Sequence, residues 1–357
     1  MSQAFEDWGA GASLEEVRSR LWSWMREGTE EGFLDHALAL FRWQALHNAP
    51  YRTFLEAMNV HPEAISSLED IPFLPVEVFK SHDVKSGAWE PKHVFRSSGT
   101  TQTISRAQHW MDDDGLAWYA QMSRLAWQVQ WGGPVADWAW LGLLPGYIGR
   151  EDASLLTMVS DFMGQAGAPE EGMLMHDHGA LNTRVTQHFE QEESKPLMLF
   201  GVTWAVLDWV DSLASDRAWM NRVPWKHVTL IETGGMKGRG MEPIREEVHA
   251  RIKAVLPDIH VASEYGMTEM MSQGYARDGI HHAFPSWVKP LVREPRDPRS
   301  SALQNRVGRL DIVDLANVHS CAFLATGDAA NLTPKGLILL GRQDHSEVRG
   351  CSLLATP

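Results

Sequence analysis

The sequence predicts an α/β fold: layered, at least partly parallel sheets covered by helices, with a smaller β element near the C-terminal end. Short apolar runs at 138–144, 197–200, 228–231 and 259–262 have the length and composition of buried strands. Helical patterns at 117–129, 203–213 and 243–255 lie between and around them, and that alternation favours α/β layers. Two later apolar runs, 308–313 and 337–340, supply the smaller β element.

Taken in order, Ser13-Leu14-Glu15-Glu16 reads as a capping box that opens a helix with Leu14, Val17, Leu21 and Met25 on one face. A second helical pattern covers 33–47 and stops before Pro50. Each proline of Ile71-Pro72-Phe73-Leu74-Pro75 disfavours helix in the residue before it, so this segment is expected to be extended. The stretch 292–301, VREPRDPRSS, is polar and carries two prolines, which predicts a surface loop. The 16 tryptophans are scattered, and core packing is the expected role for most of them.

Composition narrows the functional classes. A chain of 357 residues with 44% hydrophobic and 22% charged residues can bury a full core as one large domain or two ordinary ones. A net charge of −14 argues against a nucleic-acid partner, which calls for basic patches. ATP remains compatible, because a few local donors and Mg²⁺ suffice to hold one nucleotide. The N-terminus lacks a basic-then-apolar export pattern, and no apolar run reaches membrane-spanning length, so the cytoplasm is the expected compartment. Cys321 and Cys351 are the only cysteines, too few for a disulfide framework. An oligomer is compatible with all of this.

Four segments carry candidate chemistry. Ser97-Ser98-Gly99-Thr100-Thr101 offers hydroxyls and free backbone N–H groups that can converge on a phosphate, although Ser/Gly/Thr runs also make ordinary turns. Thr233-Gly234-Gly235 follows the run at 228–231, at the strand end where open α/β sheets bind ligands; a plain Gly-rich turn is the alternative. Ser263-Glu264-Tyr265-Gly266-Met267-Thr268-Glu269, again after a strand, sets an aromatic face, a hydroxyl and two carboxylates, of a kind suited to Mg²⁺, within seven residues. Thr326-Gly327-Asp328 is expected to place a carboxylate in a turn, in reach of ribose hydroxyls, and Gly341-Arg342-Gln343-Asp344 leads into the C-terminal tail. His176-Asp177-His178 and His281-His282 have no third metal ligand at useful spacing and are expected to be surface or supporting histidines. Walker, GxGxxG, HExxH and GxSxG motifs are absent from the sequence.

The order SSGTT, TGG, YGMTE, TGD, GRQD resembles the adenylate-forming superfamily of acyl-CoA synthetases, adenylation domains and luciferases. Within it, FRSSGTT, LPGYIGREDASL, ETGGMKGRG, SEYGMTEMMSQ and GRQDHSEVRGCSLL are most similar to the bacterial-luminescence acyl-protein synthetases. The resemblance runs from about Pro72 to the C-terminus. It implies ATP and Mg²⁺ as cofactors. Ser97, Ser98, Gly99, Thr100 and Thr101 would surround the β- and γ-phosphates, and Gly234 and Gly235 would border adenine with Tyr265 against its face. Thr268 would approach the α-phosphate and Glu269 would hold Mg²⁺. Asp328 would bind the ribose, with Arg342 nearby. It further implies an N-terminal helical segment (1–70) packed on an adenylate-forming α/β domain (71–340), followed by a hinge remnant and tail (341–357).

Two departures stand out. Many relatives have Gly directly after SSGTT and a Lys soon after; here the chain reads Gln102-Thr103-Ile104-Ser105-Arg106, with Arg106 as a candidate replacement cation. The superfamily's mobile C-terminal lid, with its lysine, is not in the sequence, as in acyl-protein synthetases; Lys237 and Arg349 are further candidate cations. In that subgroup a cysteine near the C-terminus accepts the acyl group, and Cys351 in RGCSLL is the matching residue. Cys321, in an apolar run, reads as a small buried hydrophobe.

The expected function is therefore an ATP-dependent acyl-protein synthetase. It would activate a carboxylic acid, with a fatty acid as first candidate, and load it on Cys351 for an acyl-accepting protein or reductase. The stretches 141–147 and 200–204 would line the acid's tunnel. Transfer to coenzyme A or a carrier protein, and a non-catalytic nucleotide-binding scaffold, are the alternatives.

Overall fold

The structure is a computed structural model that describes residues 8, 11–97, 106–145, 151–168, 172–214, 216–234, 244–295, 297 and 300–342. It opens with three helices, α1 (Leu14–Glu27), α2 (Phe33–His47) and α3 (Ala49–Ala57). The capping box forms as expected: Ser13 Oγ accepts from Glu16 N at 3.3 Å, and Glu16 Oε2 accepts from Ser13 N at 2.8 Å. α2 does end at His47, but Pro50 lies in the first turn of α3, where its missing N–H costs nothing, and Asn48 caps that helix. Gln44 of α2 reaches across the chain: its Nε2 donates to Asn317 O and Ser320 O, and its Oε1 accepts from Ala322 N.

After the two-residue strand β1 (Leu74–Pro75) comes a hairpin, β2 (His93–Arg96) and β3 (Gln108–Met111), which carries the SSGTT segment between its arms. Then α4 (Asp113–Trp131), β4 (Ala139–Leu143), α5 (Ser154–Gln165), α6 (His178–Phe189), β5 (Leu197–Val202), α7 (Thr203–Leu213), α8 (Arg217–Met220), β6 (Val228–Thr233), α9 (Arg245–Val255), β7 (His260–Tyr265) and β8 (Gly274–Ala276) follow. The sheet order is β4-β5-β6-β7-β8, with the first four strands parallel and β8 antiparallel at the edge. The fully buried run of β5, and of β6 at every position but Thr229, suits this arrangement, because both sheet faces are covered. Twelve of the tryptophans are buried, and Trp127 packs against Trp131, Trp140, Phe162 and Tyr275, joining α4 to β4, α5 and β8.

The second sheet holds β9 (Val288–Arg293), β10 (Val307–Asp314), β11 (Phe323–Thr333) and β12 (Gly336–Arg342), in the order β1-β11-β10-β9 with β12 also on β11. β1 and β12 share one edge of β11: Leu74 pairs with Leu324, and Asp328 pairs with Arg342. Two expectations need correction here. The segment 292–301 is not all surface loop, since Val292 and Arg293 belong to β9 and both are fully buried. Arg293 is tolerated there because Asp311, itself buried, lies 3.2 Å from its Nε, and Glu69 O accepts from its Nη1 at 2.9 Å. Thr326-Gly327-Asp328 is not a turn either. It is a bulge inside β11, where the register with β10 shifts between Arg309 and Asp311, and Gly327 takes φ +76°.

Candidate active site at the strand ends

The C-terminal ends of β6 and β7 gather most of the described candidate residues. Gly234 follows β6 directly, and a Cβ there would meet nothing within 4 Å among the described residues. One strand over, Tyr265 ends β7 and its hydroxyl donates to Asp328 Oδ2 at 2.7 Å. The β11 bulge turns Asp328 toward this point, and Thr326 Oγ1 fixes the bulge by donating to Leu310 O at 2.8 Å and accepting from Asp328 N at 3.2 Å. A second irregularity, at Gly341 (φ +96°), precedes Arg342, whose Nε lies 3.5 Å from Asp328 Oδ1. Tyr265, Asp328 and Arg342, far apart in sequence, form one polar triad. The Tyr265 ring sits edge-on to His282 and Phe284.

The loop between β7 and β8 is held from several sides. Buried Asp314 accepts from Met271 N at 2.8 Å, Ser272 N at 3.0 Å, Ser272 Oγ at 2.7 Å and Ala316 N at 3.2 Å. Asn317 Nδ2 donates to Glu269 O at 2.7 Å, and Asn317 is in turn held by Gln44 of α2. His109 on β3 places Nδ1 at 2.9 Å from Thr268 O; a carbonyl can only accept, so that nitrogen carries the proton. Burial lowers the His109 pKa to about 4 and keeps the ring neutral. The backbone of Thr268 and Glu269 is thereby tied to the hairpin that carries SSGTT, to the second sheet and to the N-terminal helices.

Three buried glutamates set the electrostatics. Burial would raise Glu232, but the His249 hydrogen bond, the Arg245 charge at 3.1 Å and the Ser263 and Thr203 hydroxyls outweigh it and hold the carboxyl at about 2. Glu264 goes the other way: burial lifts it to about 7, against a 2.6 Å hydrogen bond from Thr233 Oγ1 and with the Glu232 charge adding to the rise. Glu269 is also lifted to about 7 by burial, with Asp328 and Glu77 adding and Arg342 opposing. These directions fix a stability prediction. Glu264 and Glu269 bind more protons folded than unfolded between pH 4.5 and about 7, so their contribution is present below pH 4.5 and lost as pH rises to about 7. Glu232 binds fewer when folded, so its contribution is present above pH 4.5 and lost as pH falls to about 2. Urea unfolding followed against pH should show wild type losing stability from pH 5 to 8, and the Glu264→Gln, Glu269→Gln double variant losing less.

Several expectations resolve differently. Ser97 closes the base of its loop, its N donating to Ala107 O at 3.1 Å and its Oγ accepting from Ala107 N at 3.0 Å. Arg106 does not project as a free cation, because its Nε donates to Ser97 O at 2.5 Å and its Nη1 lies 3.5 Å from Asp152. The apolar stretches at 141–144 and 200–204 are buried, and a Cβ on Gly201 would stand 2.7 Å from Val206 and 2.8 Å from Leu143; positions 146–147 lie outside the described residues. Asp177 caps α6, donated to by Ala180 N at 2.8 Å, and His282 is buried rather than superficial. Burial raises the Cys321 thiol to about 12, which makes it unreactive. Ser98, Gly99, Thr100, Thr101, Gln102, Gly235, Lys237, Arg349 and Cys351 lie outside the described residues. The sequence reading missed His109, Asp314 and Asn317, and it gave Glu232 no role although that residue opens the TGG motif; Glu264 was already one of the two carboxylates noted beside Tyr265.

Comparison with solved structures follows from this geometry. A 2-hydroxyisobutyryl-CoA ligase in an open conformation, solved with 2-HIB-AMP and CoA, matches 88% of this chain and 70% of its own length, with a TM-score of 0.60 and 15% identity. The same ligase in its thioesterification state matches 88% of this chain and 68% of its own, at a TM-score of 0.61 and 15% identity. The chain has the fold of an adenylate-forming large domain. No family model and no curated protein matches the sequence. Among the described residues no helix is long and apolar enough to cross a membrane.

Proposed function

We propose that this protein is an ATP-dependent ligase that activates a carboxylic acid as its acyl-adenylate and then carries the acyl group on Cys351. The reading rests on one observation above all. Gly234, the Tyr265–Asp328–Arg342 triad and the braced Thr268–Glu269 backbone converge at the carboxyl ends of parallel strands, in a fold shared with acyl-CoA ligases. The ligases solved with 2-HIB-AMP support the same half-reaction.

In this reading Gly234 and Gly235 border adenine, with Tyr265 close by. Asp328, oriented by Tyr265 and Arg342, accepts from the ribose hydroxyls. Ser97, Ser98, Gly99, Thr100 and Thr101 surround the outer phosphates, and Thr268 approaches the α-phosphate. A carboxylate oxygen of the acid attacks the α-phosphorus, the bond to the bridging oxygen breaks, and pyrophosphate leaves. The Cys351 thiolate then attacks the acyl carbon and AMP leaves with the carboxyl oxygen, giving a thioester for an acyl-accepting protein or reductase. The first step is mainly positioning and charge neutralisation, which suits a loop with so many backbone anchors. Glu269 fits Mg²⁺: it is a buried carboxylate that forms no ion pair among the described residues and lies near Asp328 and Glu77, a hard-oxygen environment. When bound there, Mg²⁺ would neutralise phosphate charge.

The division into a helical segment (1–70), an adenylate-forming domain (71–340) and a tail (341–357) completes the proposal, with cytoplasmic location as its corollary. Incubation with ATP, Mg²⁺ and a labelled acid tests the acceptor. Wild type should acquire hydroxylamine-labile label, and Cys351→Ser should lose it while still releasing pyrophosphate. Equal labelling of both proteins, or label found only on added coenzyme A, would remove Cys351 from the account.

A further inference from the structure

Among the described residues, the face of β7 opposite Glu232 contains hydrogen-bond acceptors without enough donors. Glu264 and Thr233 sit side by side at the ends of β7 and β6, and Thr233 Oγ1 spends its proton on Glu264 Oε2 at 2.6 Å. Glu264 Oε1 lies over Gly266, 2.6 Å from where a Cβ would stand, and Gln273 Cγ is 3.5 Å from the same point. Gln273 is 3% exposed, and its Oε1 is buried with no hydrogen-bond partner among the described residues. Its Nε2 faces Tyr119 Oη at 3.4 Å, and Tyr119 in turn donates to Ser154 O at 3.1 Å. Tyr275 directs its hydroxyl at Met158 Sδ, 3.9 Å away. The hydroxyls and the amide of this cluster are therefore already directed at other atoms. Arg245, the described cation whose charge acts on Glu264, hydrogen-bonds Glu232 on the other face.

Buried acceptors left without donors are costly, and a site that keeps them is built to receive a donor from outside. The cluster adjoins Gly234 and Tyr265, so the donor arrives with the ligand of that site. We propose that Glu264, with Gln273, selects an acid that bears a hydrogen-bond donor, a hydroxyl or an ammonium group, over the matching unsubstituted acid. The inference rests on the acid-activating reading above and names the substrate class. The raised pKa of Glu264 agrees with a carboxylate that lacks its partner until the substrate binds.

Acid-dependent exchange of labelled pyrophosphate into ATP tests this with matched acids at several chain lengths: unsubstituted, 2- and 3-hydroxy, 2- and 3-amino. Wild type should prefer a hydroxy or amino acid by about tenfold or more in kcat/KM, since a site built to bond a donor discriminates against the analogue lacking it. Glu264→Leu should erase or reverse that preference. Glu264→Gln, which keeps shape and one acceptor, should keep a hydroxy preference and lose an amino preference, and so identifies the donor even if the Leu variant does not fold. Equal use of substituted and unsubstituted acids by wild type would overturn the inference while leaving acid activation intact. Exchange with none of the acids would overturn both.

Discussion

Asp314→Ala is expected to destabilise the protein by about 3–5 kcal/mol and to abolish acid-dependent pyrophosphate exchange. The side chain is fully buried and accepts four hydrogen bonds, from Met271 N, Ser272 N, Ser272 Oγ and Ala316 N. Alanine would leave three backbone N–H groups and one hydroxyl without their acceptor, in a place water cannot readily reach. Trp287 would lose part of its support too, since its Nε1 donates to Ser272 Oγ at 3.0 Å. The loss bears on function because the Met271–Ser272 anchor lies two residues beyond Glu269. Denaturant unfolding measures the first effect, and exchange by the folded fraction at low temperature measures the second. A variant that loses stability yet keeps wild-type exchange would show that the loop does not need this anchor.

Glu269→Gln is expected to move stability and activity in opposite directions. Burial raises the Glu269 carboxyl to about 7, so at pH 8 the free protein holds a buried charge that the neutral amide removes at nearly constant shape. The variant should therefore be more stable than wild type at pH 8, with the advantage shrinking toward pH 5, where Glu269 is already protonated. Exchange should nevertheless fall by about 10²-fold or more, the scale for losing one transition-state charge stabiliser. That pattern is the signature of a residue kept for function at a cost in stability. Unchanged exchange in Glu269→Gln would place the phosphate-proximal carboxylate elsewhere, with Asp328 and Glu77 the nearest alternatives named by its electrostatics.

The parts of the fold that could be read from the sequence are those governed by local rules. α2 and α7 begin and end where periodicity places them, and the capping box at Ser13 forms as written. The runs at 228–231 and 259–262 stop short because the strand ends are polar: β6 continues through Glu232-Thr233 and β7 through Ser263-Glu264-Tyr265, whereas β4 is shorter than the run at 138–144. Those polar ends are the floor of the site. α5 and α6 were not anticipated. α5 lacks a side-chain N-cap, and the residue that caps α6, Asp177, lies within a His-Asp-His triplet that draws attention as a metal motif.

The motifs flanking the site were legible because their residues are consecutive, and the structure brings Tyr265, Asp328 and Arg342 together. What supports them was hidden by its long range. His109 acts on Thr268, Asn317 on Glu269, and Gln44 on Asn317, pairings separated by 159, 48 and 273 residues. No local pattern marks a histidine in a strand or a glutamine in a helix as support for the candidate site. Arg293 was misread for a related reason. A charged residue beside two prolines looks superficial until its buried partner, Asp311, is known.

The central claim is that this arrangement adenylates a carboxylic acid, and acid-dependent ATP–pyrophosphate exchange tests it most directly. Labelled pyrophosphate should enter ATP only when Mg²⁺ and a suitable acid are both present, and Asp328→Ala, which removes the proposed ribose contact, should raise the KM for ATP. Calorimetric binding of ATP with no exchange across short, long, hydroxylated and amino acids would contradict the account and leave a nucleotide-binding protein without the reaction.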